Sequence, residues 1–567
     1  MSDTRRRLNV VLCWHMHQPQ YRDLISGQYA QPWTYLHAIK DYVDMAAHLE
    51  ATPGARAVIN TVPILFEQLT DYAEQIDGFL NDGQALRDPL LAALGNAVLP
   101  SEPHARLSLI DACLRANEQR VIERFPAFAR LAALARAAQQ STHMLGYLSD
   151  AFLGDLLMWY HLAWLGETVR RSDPRVQHWM EKAAHFSIHE RRELLALIGQ
   201  LVSGVATRYG HLAAQGQIEL SFTPYAHPIL PLLYEYRAAR DAQPDMALPQ
   251  TENYPGGAER AEWHIQQGIA HFDATFGRRP HGCWPSEGSV SAATLKLLGD
   301  AKIQWAASGE SVLANSLRAN GIDTHAPKAD WLYRPYRLDG QHCACFFRDD
   351  ELSDLIGFTY ATWHADDAVA NLVHRLEHIA DTCDAPSERV VSIILDGENA
   401  WEYYPENGYY FLSALYMRLN DHPKLLLSTF ADYLKTHEAA PLHTLIAGSW
   451  VYGTLSTWIG HTDKNRGWDM LHDAKRVFDR VAPTLPPTQR AAAERQLAVC
   501  EGSDWFWWFG DYNPAAAVRD FERLFRKHLS NLYQMLHVEP PEYLTHSFTH
   551  GGGNPAAGGT MRSGQPP

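Results

Sequence analysis

Cysteine is scarce and basic charge is outnumbered. Seven cysteines, an odd number, are scattered over 567 residues, which argues against a disulfide framework. Cys343 and Cys345 form a CxC pair, but no second thiol pair lies nearby to complete a zinc site. They read as alternating strand residues. Lys and Arg total 49 against 65 Asp and Glu, a formal net charge of −16. No basic stripe is left over to neutralise phosphates, which argues against a nucleic-acid partner. Long apolar runs are missing too: nothing approaches the roughly 18 uninterrupted apolar residues of a membrane span. Arg5, Arg6 and Arg7 precede too short an apolar stretch for a secretory leader, and no small-residue cleavage site follows. The expectation is a cytoplasmic chain without membrane contact.

What the chain does have is core material and rings. Hydrophobic residues make up 46% and charged residues 20%, with 17 Trp and 25 Tyr. Such a composition describes a globular protein. Aromatic faces suit a neutral substrate with apolar faces, such as a sugar, although most rings must serve the core. At about 150 residues per domain the length allows two to four units, or one barrel enlarged by insertions.

Seven short apolar or β-branched runs read as strands: 8–14, 55–62, 216–222, 281–284, 302–307, 343–348 and 390–396. A weaker run at 424–430 is a candidate eighth. Strands alternating with helical stretches predict βαβ units and a parallel sheet. Between about 67 and 210 only helical periodicity appears, so a helical insertion is expected within a barrel spanning 1–435. The pattern is helical again over 440–540, and the Gly/Pro-rich end, 546–567, is expected to be disordered.

Polar residues gather at the C-terminal ends of the strands, where parallel sheets place their sites. The run HGCWPSEGSVS ends a strand at Trp284, breaks at Pro285 and then presents Glu287. VVSIILDGENAWEYYPENG carries Asp396, Glu398 and Glu402 out of a nearly continuous apolar strand. Carboxylates delivered there must be hydrated, paired or functional, because burying one uncompensated is costly. Two carboxylates on separate strand ends suit glycoside cleavage, one attacking and one moving the proton.

Several segments together resemble glycoside hydrolase family 57: HMHQP at 15–19, GQIELSFTPYAHPILPLL at 216–233, WPSEGSVS at 284–291 and LDGENAWEYYPENG at 395–408. GTLSTWIGHTDKNRGWDML at 453–471 and EGSDWFWWFGD at 501–511 are similar to motifs of that family's helical region. The resemblance covers roughly residues 8–540. It implies an α/β fold, an incomplete (β/α)7 barrel followed by a C-terminal helical bundle. It further implies Glu287 as nucleophile, Asp396 as acid/base and no cofactor or metal. The implied substrate is an α-glucan such as starch, glycogen or a maltooligosaccharide, in the manner of the α-amylase and amylopullulanase branches.

Around that pair, His15, His17, Glu219, His227, Trp284, Arg348, Asp349, Trp401, Trp458, Asp504 and Trp505 are candidate substrate contacts. His15 and His17 alternate on one strand and so point the same way. Arg348 beside Glu287 would help keep that carboxylate ionised. Other readings use the same residues. A 4-α-glucanotransferase or branching enzyme would pass the sugar to another sugar instead of water. A metal-dependent hydrolase could use the HMH pair, but no third ligand stands at a completing spacing. A non-catalytic glycan-binding protein would not need both carboxylates, and both are present.

Overall fold

A computed structural model describes residues 7–553 and Met561. Arg5 and Arg6, and the stretches 554–560 and 562–567 of the expected tail, lie outside the described residues. One sheet holds ten strands: β1 (Leu8–Met16), β2 (Ala57–Thr61), β3 (Ile218–Phe222), β4 (Gly282–Cys283), β5 (Trp305–Ser308), β6 (Tyr336–Leu338), β7 (Ala344–Phe347), β8 (Val390–Asp396), β9 (Leu425–Leu427) and β10 (Ala440–Leu442). Their order is β10-β6-β7-β5-β4-β3-β2-β1-β8, with β9 beside the start of β1. All pairings are parallel except β6 with β7. A parallel bridge from Arg348, just past β7, to Ser392 in β8 brings the curled sheet back on itself. The result is an incomplete barrel.

The seven runs read as strands are β1, β2, β3, β4, β5, β7 and β8, and the weak run at 424–430 is β9. They were visible because a parallel strand covered on both faces loses its polar alternation; all nine residues of β1 are buried. β6 and β10 went unread. Each has three residues, YRL and APL, and partly exposed positions interrupt both. All seven cysteines are buried and unpaired, as expected of strand and core thiols.

No strand occurs between β2 and β3. That stretch is helical from Pro63–Asp82, opened by proline at its first position, to Ile188–Ala214, opened by a Ser187/Glu190 capping box. After β10 come the helices Thr462–Val481, Pro487–Cys500, Ser503–Trp508 and Ala515–Met535. A buried ion pair ties them to the barrel: the Arg260 guanidinium lies 2.7 Å from Glu501, and His264 Nε2 lies 2.8 Å from it. Burial alone would raise the Glu501 carboxyl, but Arg260 and His264 outweigh it and hold it down at about 2. Removing one partner of such a pair costs about 3–5 kcal/mol.

The chain end differs from expectation. Residues 546–553 pack against the helices: Thr549 is 2% exposed and the Phe548 ring sits 5.0 Å from Phe509. The Gly552 and Gly553 amides donate to the Asp511 and Asn513 carbonyls. A Cβ at Gly553 would lie 1.7 Å from the Tyr512 carbonyl oxygen. These glycines serve close backbone contact, which composition alone reads as disorder. Among the described residues no helix is long and apolar enough to cross a membrane.

Candidate active site

Strand register builds the site. His15 stands level with Asn60 in β2 on one side and with Asp396 in β8 on the other. At this C-terminal mouth a cavity of about 610 Å³ opens. Of the expected residues it is lined by Glu287, Asp396, His15, His17, His227, Arg348 and Asp504.

Glu287 follows β4 on a short turn, Ser286–Gly288, with left-handed backbone (φ 58°, ψ 24°). A non-glycine residue held there costs about 1–3 kcal/mol and needs its surroundings to enforce it. Trp450 does so twice. Its backbone N–H donates to the Glu287 carbonyl at 3.1 Å, and its indole Nε1–H donates to Glu287 Oε2 at 2.9 Å. Gly288, also at positive φ, lets the turn close, since a Cβ there would meet the Trp284 ring at 2.7 Å. Arg348 lies over the Trp450 ring at 5.1 Å and is itself held by Asp350 and Asp354.

Asp396 ends β8, where Asn399 Nδ2 donates to its Oδ2 at 2.8 Å. Burial pushes its carboxyl up to about 6, against the lowering effects of Asn399, His17 and Arg348. Glu398 follows two residues later. Its Oε1 accepts from the His17 amide (3.1 Å), Gln18 Nε2 (3.3 Å) and Tyr42 hydroxyl (3.2 Å). Burial first and Asp396 second raise the Glu398 carboxyl well above its ordinary value.

Three imidazoles complete the floor. His15 Nδ1–H donates to Asn60 Oδ1 at 2.6 Å, which leaves its Nε2 to accept from His227 Nε2 at 3.2 Å. His227 Nδ1 then accepts from the Ser503 hydroxyl at 2.7 Å. Burial, with His17 adding, pushes His15 down to about 3, opposed by its Asn60 bond, and takes His227 well below the usual range. Both stay neutral, each ring donating through one nitrogen and accepting through the other within this chain of contacts. His17 Nε2 donates to Asp504 Oδ1 at 2.8 Å. The Ser503–Trp508 helix reaches this floor because the Ser503 amide donates to the His227 carbonyl at 2.8 Å. His17, His227 and Asp504 place potential metal-ligand atoms within 4.8 Å of one another. Of the HMH pair only His17 belongs to this group, and its two companions, at 227 and 504, are remote in sequence.

Six expected contacts lie off the cavity. Glu219 is buried under the mouth, accepting from Trp305 Nε1 (2.7 Å) and the Ala431 amide (3.0 Å). Trp284 is fully buried beneath Trp450. Asp349 caps the helix that follows it and accepts from the Tyr333 hydroxyl. Trp401 is core, donating to the Gly397 carbonyl and so bracing the Asp396 loop from below. Trp458 is 0% exposed, and Trp505 packs on Phe525 and His528. The rings that do face the cavity include Trp33, Trp164, Trp450, Trp507, Trp508 and Phe521. Trp33 and Trp164 come from segments far apart in sequence, and no local signal marks them.

The geometry therefore offers Asp396, a carboxyl that burial raises to about 6, and Glu287, rigidly held and facing the same cavity. That pairing suits proton delivery coupled to nucleophilic attack. The chain is similar in fold to a family 57 branching enzyme from Thermococcus kodakaraensis: TM-score 0.55, 14% identity, 96% of this chain and 92% of that one covered. An α-amylase from Thermotoga maritima gives TM-score 0.54 and 12% identity over 94% of each chain. A 4-α-glucanotransferase from Thermococcus litoralis gives TM-score 0.51 and 14% identity, covering 93% of this chain and 60% of that one. No curated protein sequence matches. The family model for glycosyl hydrolase family 57 matches residues 11–445, and the chain belongs to that family of glycoside hydrolases.

Proposed function

We propose that the protein is a retaining hydrolase of α-glucans, acting on α-1,4 or α-1,6 linkages of starch, glycogen or maltooligosaccharides. The observation that carries this reading is the pair Glu287 and Asp396 facing one cavity, with Asp396 in surroundings that keep it protonated up to about pH 6. Asp396 gives its proton to the glycosidic oxygen while Glu287 attacks the anomeric carbon and the leaving sugar departs. The Asp396 carboxylate then takes a proton from water, whose oxygen displaces Glu287 and restores both groups. His15, His17, His227, Arg348 and Asp504 are assigned to sugar hydroxyls, and Trp33, Trp164, Trp507 and Trp508 to sugar faces. The buried, unpaired thiols fit a reducing, cytoplasmic setting.

A second reading is transfer of the glycosyl unit to another sugar, as a glucanotransferase or branching enzyme does. The ring-rich cavity wall favours it, because an acceptor sugar needs platforms and exclusion of water. Incubation with maltoheptaose in EDTA separates the readings. Hydrolysis gives only shorter products, transfer gives longer ones as well, and a binding protein gives neither. Loss of activity in EDTA restored by zinc would overturn both readings in favour of a metal-dependent hydrolase.

A further inference from the structure

We propose that His17, His227 and Asp504 form a site for a zinc-class divalent cation, which on binding excludes the sugar and holds the enzyme inactive. The inhibitory consequence rests on the glycosidase reading above; the binding does not.

Three separate elements converge here: the end of β1, the turn after β3 and the Ser503–Trp508 helix. Potential ligand atoms of the three residues lie within 4.8 Å of one another, and His17 Nε2 is already 2.8 Å from Asp504 Oδ1. Tetrahedral zinc, with bonds to nitrogen of about 2.0–2.1 Å, wants ligand atoms roughly 3.3 Å apart. Closing the site takes small side-chain shifts and one reorientation. The His17 and His227 rings are stacked, 3.8 Å between centroids and 17° apart, so one must tilt before both lone pairs meet an ion. His17 is the freer ring: its Nδ1 is buried with no hydrogen-bond partner.

Outer contacts favour capture. His227 is steadied through Nδ1 by Ser503 Oγ at 2.7 Å, an oxygen that can accept as readily as donate. When Nε2 turns to a cation, the ring proton moves to Nδ1 and that contact persists, the usual support for a ligating histidine. The cation takes the place of the proton between His17 and Asp504. Glu398, which accepts from the His17 amide, adds a carboxyl nearby. Two imidazoles and one carboxylate select Zn²⁺, Ni²⁺ or Cu²⁺ over Ca²⁺ and Mg²⁺, which prefer all-oxygen shells. All three ligands line the cavity, so a fourth position faces it, where a sugar hydroxyl would otherwise sit.

The test uses the full chain stripped with EDTA and then freed of chelator. Calorimetry with Zn²⁺ alone is expected to show one ion per chain, and Co²⁺ the intense visible bands of a tetrahedral site. Asp504→Asn and His17→Gln, each checked by thermal melting, should weaken Zn²⁺ by more than the roughly 10–100-fold that losing an outer partner costs. With the parent protein, Zn²⁺ should raise KM for maltoheptaose and leave kcat unchanged, while Ca²⁺ and Mg²⁺ do nothing. Absence of stoichiometric binding, or binding indifferent to both substitutions in folded protein, overturns the site. Stimulation by Zn²⁺ overturns the inhibitory role. Failure of the glucan reading appears separately, as inactivity on maltoheptaose in EDTA with Zn²⁺ binding intact.

Discussion

Replacing Asp396 by asparagine should make the protein more stable at neutral pH, and only there. Burial raises the folded carboxyl from 3.8 to about 6. At about 1.36 kcal/mol per pH unit that gap amounts to about 3 kcal/mol. The sign follows from which state loses its proton first. The unfolded chain ionises near pH 4, whereas the folded one resists until about pH 6. Ionised Asp396 therefore opposes folding by the full amount above pH 6, by less between 6 and 4, and not at all below. Asparagine carries no charge, and its amide oxygen can keep the hydrogen bond from Asn399, now 2.8 Å long. Because the carboxylate touches the cavity and keeps some hydration, about 3 kcal/mol is a ceiling. Paired thermal melts from pH 4.5 to 8 read the effect. At about 1 °C per kcal/mol for a chain this long, the variant should melt higher by up to about 3 °C at pH 7.5 and level with the parent at pH 4.5. A variant that melts lower at pH 7.5, or an offset constant across the range, would refute the assignment of Asp396 as a carboxyl strained by burial.

Three further outcomes are expected. Glu287→Gln should leave melting unchanged and abolish turnover on maltoheptaose; retention of more than about a tenth of parental kcat, a difference of only about 1.4 kcal/mol, would place the nucleophile elsewhere. Trp450→Phe keeps a ring against Arg348 but loses the bond to Glu287 Oε2, so kcat/KM should fall by about 10–150-fold, the worth of a hydrogen bond to a charged group at about 1.5–3 kcal/mol; an unchanged value would show that Glu287 does not depend on it. The basic limb of kcat/KM, which reports the acid of the free enzyme, should have an apparent pKa of about 6 and be relieved with an activated aryl leaving group; a limb unaffected by the leaving group counts against Asp396 as proton donor.

How much of this was legible depends on the range over which each feature is encoded. Glu287 and Asp396 could be read because each is local: an apolar strand, a break, then a carboxyl. His15 and His17 could be read from the two-residue period of one strand. The partners that give these groups their properties come from elsewhere. Asn60 meets His15 through sheet register, and Trp450 reaches Glu287 across 163 positions. Two of the three possible metal ligands escaped for the same reason, since the group that converges with His17 sits at 227 and 504.

The rings of the Ser503–Trp508 helix show a different failure, one the sequence could have prevented. Asp504 faces the cavity, and pairing it with Trp505 as a sugar contact ignores the helical period. Adjacent residues on a helix point about 100° apart, whereas positions three and four apart share a face. Taking Asp504 as the anchor, the period selects Trp507 and Trp508, and those two line the cavity while Trp505 is 1% exposed against Phe525 and His528. Trp458 offers no such correction. It lies outside any described helix or strand, so no period assigns it a face, and only tertiary packing against Trp507 decides that it is core.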